Sequence, residues 1–214
     1  MIFKNRSDAG RRLAAELARY APEHPLVLAL PRGGVPVAYE VALALGAPLD
    51  VFIARKLGAP SQPEFAIGAV AEGGVVIVDP TAEEVGVDAR RLAVAVAREE
   101  AEIAARVDRF RGGRPLGDVR GRTVIVVDDG IATGATARAS LRALRAMEPA
   151  RLVLAAPVVA GETAATLRGL VDDLVCLEAP EDFAAVGYWY EDFEQVPDDE
   201  VVELLIRASR RGSA

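Results

Sequence analysis

Two adjacent carboxylates, Asp128 and Asp129, followed by the small and hydroxyl-bearing run Ala132-Thr133-Gly134-Ala135-Thr136, are the most concentrated chemistry in the chain. Carboxylates accept hydrogen bonds from hydroxyl groups. A run of small residues that opens a helix offers unpaired backbone N–H groups and a positive dipole end to an anion. Together they describe a ligand carrying both hydroxyls and phosphate, such as a sugar phosphate. A second group, Pro31-Arg32-Gly33-Gly34, has a similar character: glycines let backbone amides approach where a Cβ would exclude a ligand, and the Arg32 guanidinium can fork onto phosphate oxygens. A third is Arg55-Lys56, in a chain whose only other lysine is Lys4.

These groups need elements to hold them. Four consecutive β-branched apolar residues, Val124 to Val127, predict a strand buried on both faces, which places the acidic pair at its carboxyl end and a helix at about Gly134 to Met147 behind it. Leu26 to Leu30 predicts a strand feeding the Pro31–Gly34 turn and a helix from about Val35 to Leu45. Asp50 to Ala54 predicts a second strand, closed by Arg55-Lys56 on the same edge of the sheet. Ala66 to Val70 and Val75 to Val78 read as a hairpin, and Thr81 to Arg111 as a long charged helix opened by a Thr81/Glu84 capping box. Strands at Arg151 to Ala156 and Leu174 to Leu177 flank a helix near Glu162 to Leu170.

Such alternation gives right-handed crossovers and a Rossmann-like open, mainly parallel twisted sheet with helices on both faces. Ligands of such sheets bind at the carboxyl ends of the strands. The candidate linkers, Gly112 to Gly121 and Ala179 to Ala185, are too short to divide the chain, so residues 1–214 are expected to form a single domain.

Composition removes other classes. The P-loop needs a Lys after its last Gly, where this chain has Ala135, and no G-x-G-x-x-G follows a predicted strand. One Cys (Cys176, in an apolar strand) and one His (His24, in a loop) leave no intrachain disulfide, zinc cluster or His triad. A net charge of −7 argues against a nucleic-acid surface. No apolar run approaches the roughly 18 residues that span a membrane, and the expected location is the cytoplasm.

Val124 to Thr136 resembles the phosphoribosyl-pyrophosphate (PRPP) signature of the type I phosphoribosyltransferases. The resemblance implies that Asp128 and Asp129 meet the ribose hydroxyls and that Ala132, Thr133, Gly134, Ala135 and Thr136 wrap the 5′-phosphate. It also implies that Arg32, Gly33, Gly34, Arg55 and Lys56 meet the pyrophosphate, with Lys56 joining Asp128 and Asp129 as catalytic groups, and that Leu57 to Glu72 is a mobile loop closing over the site. Mg²⁺ is the implied cofactor, the partners PRPP and a nitrogenous acceptor such as a nucleobase, and a homodimer is compatible. Two residues depart from the family pattern. Ala132 stands where enzymes acting on 6-oxopurines carry an acid, which turns the expectation away from hypoxanthine or guanine, and Gly130 stands where an apolar residue is usual.

Acceptor choice in this family comes from a variable hood, here expected from residues 1–25 and 179–196, the latter with Phe183, Tyr188, Trp189, Tyr190 and Phe193. Those rings suit stacking on a planar base, anchoring of the acidic C-terminal tail, or a dimer contact. The alternative to a transferase is a regulatory module that keeps the PRPP pocket and senses nucleotide status without turnover.

Overall fold

Strands β1 (Leu26–Ala29) and β6 (Thr123–Val127) are apolar or β-branched throughout and buried at every position. They form the centre of a five-stranded sheet completed by β2 (Leu49–Val51), β7 (Arg151–Val158) and β8 (Asp173–Glu178), in the order β2-β1-β6-β7-β8 with every pairing parallel. The structure, a computed structural model, describes residues 2–59, 62–80, 82 and 87–211, with backbone alone for 62–64.

Side-chain alternation explains the uninterrupted apolar runs. Val27, Ile125 and Val153 point into one core with Leu13 and Leu17 of α1 (Arg6–Leu17) and Val37 of α2 (Gly34–Leu45). Leu28, Val126 and Leu154 point into a second core, on the opposite face, with Leu141 and Leu144 of the helix Ala135–Ala146 and Leu167 of the helix Gly161–Leu167. Helices therefore cover both faces, as the sequence predicts.

A second sheet differs from expectation. The predicted strand Asp50 to Ala54 divides: after Val51 the Phe52 amide makes a last bond to Ala29 O (3.0 Å), and the chain leaves the parallel sheet through buried Phe52 and Ile53. Ala54 then opens β3 (Ala54–Ala59), which pairs antiparallel with β4 (Gln62–Ala71), itself paired with β5 (Val75–Val78). Arg55 and Lys56 thus sit on a separate three-stranded sheet rather than closing a strand of the parallel one. Leu57 to Glu72 is accordingly mostly strand rather than loop: Leu57 and Ala59 on one strand and the run Ile67 to Ala71 on the other are buried. Pro60 and Ser61, at its tip, lie outside the described residues.

The long charged helix is α3 (Ala89–Arg111), capped by Asp88, whose side chain accepts from the Arg91 amide at 2.8 Å. The anticipated Thr81/Glu84 box lies outside the described residues. Helices Ala135–Ala146 and Gly161–Leu167 are α4 and α5. A last helix, α6 (Asp198–Arg211), was not anticipated; it opens with Asp198, Asp199 and Glu200, which suit the positive helix end, and buries Val201 and Leu204 in the first core. Cys176, expected to be buried, is partly exposed on β8. Among the described residues no helix is long and apolar enough to cross a membrane.

Candidate active site

From β1 the chain moves outward to β2, then returns to β6 on the other side of β1. The strand order therefore reverses between β1 and β6, and a crevice opens beyond their carboxyl ends. The loop after β1 is Pro31–Gly33 and the loop after β6 is Asp128–Gly134, so the two strongest sequence motifs lie at one switch point. The Leu30 amide donates to Val127 O at 2.9 Å and joins them.

Their contact explains the glycines. A Cβ on Gly33 would stand 2.0 Å from Asp129 Oδ2, and one on Gly34 would stand 2.6 Å from Val127 O. No other residue type fits against the acidic pair without moving it. Gly130 has a comparable reason: a Cβ there would meet Val186 Cγ1 at 2.4 Å, so the departure from the family pattern lets the C-terminal segment pack onto the loop.

The two acids have unequal surroundings. Asp129 is buried, and its Oδ2 accepts from Arg6 Nε at 2.7 Å while its backbone oxygen accepts from the Tyr190 hydroxyl. Asp128 is half-buried, with Oδ1 accepting from the Asp129 amide at 2.9 Å, and no described cation forms a salt bridge with it. Burial, and then the adjacent Asp129 charge, push the Asp128 carboxyl well above the usual carboxylate range, and Arg6 opposes the shift. Burial likewise raises the Tyr190 phenol.

Gly134 takes a left-handed conformation (φ 71°) as N-cap of α4. The preceding loop is fixed from β7, where Ile131 N donates to Val158 O at 2.9 Å, and from α5, whose Thr163 hydroxyl donates to Ala132 O at 2.6 Å. No described carbonyl accepts from the amides of Ala132, Thr133, Gly134, Ala135 or Thr136. Orphan amides at a helix start with exposed Ala132, Thr133 and Thr136 beside them form an anion cradle.

Next to that cradle is a cavity of about 960 Å³, lined by Pro31, Ala135, Thr136, the β3 residues Arg55 and Lys56, and one side of α3. From α3 come Arg90, Arg91, Arg98 and Arg106, with Asp88 and Glu99 the acids. Arg55 is ion-paired with Glu99 and Arg91 with Asp88. Arg90, Arg98 and Arg106 make no salt bridge with described residues, so the cavity is cationic in a chain of net charge −7.

The structure thus brings Arg55, Lys56, Ala135 and Thr136 around one cavity, and Asp128, Asp129, Gly33 and Gly34 around one switch point. Arg32, at the cis Pro31–Arg32 peptide, instead reaches Asp198 at 3.5 Å. Sequence reasoning missed Arg6, whose local sequence carries no signal, and the arginines of α3. The latter had one: Arg91, Val94, Ala95 and Arg98 recur at the spacing of a single helix face.

Of the expected hood, Phe3 and Tyr190 form a parallel bridge, with the Phe3 amide donating to Trp189 O at 2.8 Å. Tyr190 stacks on Phe193 at 4.9 Å between centroids and meets Phe3 at 5.4 Å. These rings anchor the segment before the first helix to the one around Tyr190; Tyr188, 75% exposed, is open to stack on another group.

An amide cradle, an adjacent acidic pair and a glycine loop thus meet at the switch point of a parallel sheet, where α/β domains bind their ligands. The chain belongs to the phosphoribosyl transferase domain family, whose model matches residues 2–192. The crystal structure of TT1426 from Thermus thermophilus superposes with a TM-score of 0.90 at 44% identity, covering 97% of this chain and 99% of that one. The Mycobacterium tuberculosis (strain ATCC 25618 / H37Rv) protein named "Putative phosphoribosyl transferase Rv0571c" is 47% identical over 210 residues. That match takes in 98% of this chain and 47% of the relative, so the chain spans about half the length of the curated relatives it matches.

Proposed function

We propose that this domain is a Mg²⁺-dependent phosphoribosyltransferase that moves ribose 5-phosphate from PRPP to a nitrogenous acceptor, a nucleobase being the leading candidate, and releases pyrophosphate. The observation that carries this reading is the packing of Gly33 onto Asp129, which joins a pyrophosphate loop to a ribose acid beside an unsatisfied amide cradle. In it, Ala132 to Thr136 hold the 5′-phosphate, Asp128 and Asp129 serve the ribose, and Arg32, Gly33, Gly34, Arg55 and Lys56 serve the pyrophosphate. Arg90, Arg98 and Arg106 of α3 add to the positive field of the cavity.

The chemistry asks for charge at both ends of the breaking bond. Departure of pyrophosphate builds positive charge on the ribose ring and negative charge on the leaving group. Asp128 and Asp129 favour the first, and the cations of β3 and α3 favour the second. The residues fit Mg²⁺ carried by the ligand rather than caged by protein: among the described residues no group of three His, Cys, Asp or Glu could hold a metal, and Mg²⁺ commonly binds through substrate phosphates, waters and one or two carboxylates. The ion would neutralise phosphate charge. The site sits in one domain, with the joined segments around Phe3 and Tyr190 as its hood.

Titration calorimetry of PRPP with and without Mg²⁺, followed by pyrophosphate release across purines, pyrimidines and amines, tests the proposal. Mg²⁺-dependent binding with release for one acceptor is expected; binding without release for any acceptor would favour a sensor. In the variant Asp128→Asn with Asp129→Asn, two hydrogen bonds to charged groups are lost. At about 1.5 kcal/mol or more each, affinity should fall at least ~100-fold in a folded protein. Unchanged affinity would overturn the site assignment.

A further inference from the structure

Arg6 stands at the start of α1, far from both motifs in sequence, yet its side chain is only 12% exposed and points at the acidic pair. Three contacts fix it. Nε donates to Asp129 Oδ2 at 2.7 Å, Nη1 donates to the Glu194 carbonyl at 2.7 Å, and the guanidinium lies 3.9 Å from the centre of the Phe193 ring. The Asp129 carboxylate is thereby closed on two sides, by Arg6 and by the backbone of Gly33. Its neighbour is not closed in this way: Asp128 makes no salt bridge with described residues and is half-buried.

Two carboxylates side by side repel, and one arginine bound to one of them opposes that repulsion while leaving the other's oxygens for a ligand. We infer that Arg6 is a positioning residue of this site: it holds and neutralises Asp129 against the glycine loop, so that Asp128 is the acid presented to the sugar hydroxyls of the ligand. This rests on the phosphoribosyl reading of the site. It assigns unequal work to two residues that the sequence presents as a matched pair.

The charged and titratable groups facing the pair are Arg6 from α1, Tyr190 from the C-terminal segment, and each carboxylate from the other; Arg32 on the glycine loop turns to Asp198. Removing the Arg6 charge withdraws a field that favours ionised Asp128 and leaves Asp129 unbalanced beside it, so both effects raise the Asp128 carboxyl.

Carboxyl ¹³C NMR titration of the full chain, as wild type, Arg6→Gln and Arg6→Lys, decides whether Arg6 governs the pair. In Arg6→Gln the Asp128 midpoint should rise by about one pH unit. In Arg6→Lys, which keeps charge but loses the fork, it should lie between the two, and this variant carries the test if Arg6→Gln does not fold. Calorimetry with Mg²⁺ and PRPP then reads the consequence: about tenfold weaker binding for Arg6→Gln, partial recovery for Arg6→Lys, and less than a further twofold loss when Arg6→Gln is added to Asp129→Asn. An unmoved Asp128 midpoint, or losses that multiply fully in the double variant, would overturn the inference. Absence of PRPP binding by the wild type would instead overturn the functional reading, and the titration would still report on Arg6.

Discussion

Arg111 and Arg6 both hold carboxylates with side chains largely out of solvent, and the acids around them are placed differently. Arg111, at the end of α3, has a fully buried side chain ion-paired with Glu72, with Asp50 at 3.7 Å. Glu72 follows β4 and accepts from the Ile53 amide at 2.8 Å, while Asp50 belongs to β2, so the cluster pins α3 to both sheets. Glu72 is enclosed and Asp50 partly so, Arg111 Nε and Nη1 have no hydrogen-bond partner among the described residues, and burial pushes the guanidinium down while Asp50 holds it charged. Arg6 is also well buried, but its partner acid adjoins a carboxylate that no described cation pairs with. Burial of charge alone therefore does not mark a functional site. What distinguishes the Arg6 cluster is an unpaired acid next to it, at the open end of the sheet.

The contrast can be broken by substitution. Arg111→Met should leave the buried Glu72 without its cation and lower stability by about 3–5 kcal/mol, read as a large drop in the chemical denaturation midpoint. Under conditions where it remains folded, its PRPP affinity should be that of the wild type. If Arg111→Met instead lost affinity without losing stability, the two clusters would be functionally alike.

Gly33→Ala is the next largest effect. Its Cβ would fall 2.0 Å from Asp129 Oδ2, so the loops must separate, at a cost of about 1–3 kcal/mol and with weaker PRPP binding. Unaltered stability and affinity would show that the loops are not held together as described.

The smallest effect has the opposite sign. Because burial raises the folded-state carboxyl of Asp128 above its unfolded value, folding favours the protonated form. That stabilisation is complete below the unfolded pKa and is lost as pH rises through the folded one. Asp128→Asn cannot ionise, so near neutral pH it should be more stable than wild type, read as a higher Tm, while binding PRPP less well. The gain should vanish in acid; an equal gain at every pH would remove ionisation as its cause.

The sequence made the parallel sheet legible because its strands are buried on both faces, and runs such as Val124 to Val127 leave little alternative to a core strand. The acidic pair, the amide cradle and the glycine loop were legible too, since each is a local pattern at the end of a strand. The boundary between β2 and β3 was not, because Phe52 and Ile53 continue the apolar run across the point where the chain changes sheets. The helix α6 was missed beneath its acidic first turn, although Val201, Leu204 and Leu205 carry a helical spacing. Arg6 was not legible at all: its link to Asp129 joins distant parts of the chain, and nothing in Asn5-Arg6-Ser7 distinguishes it from a solvated arginine.

The absence of a side chain at position 33 also has an evolutionary reading. Since the space a Cβ would take is filled by the Asp129 carboxylate, the glycine is tied to the acid in one direction: any larger residue at 33 needs a compensating change at 129, whereas the acid can be lost with the glycine in place.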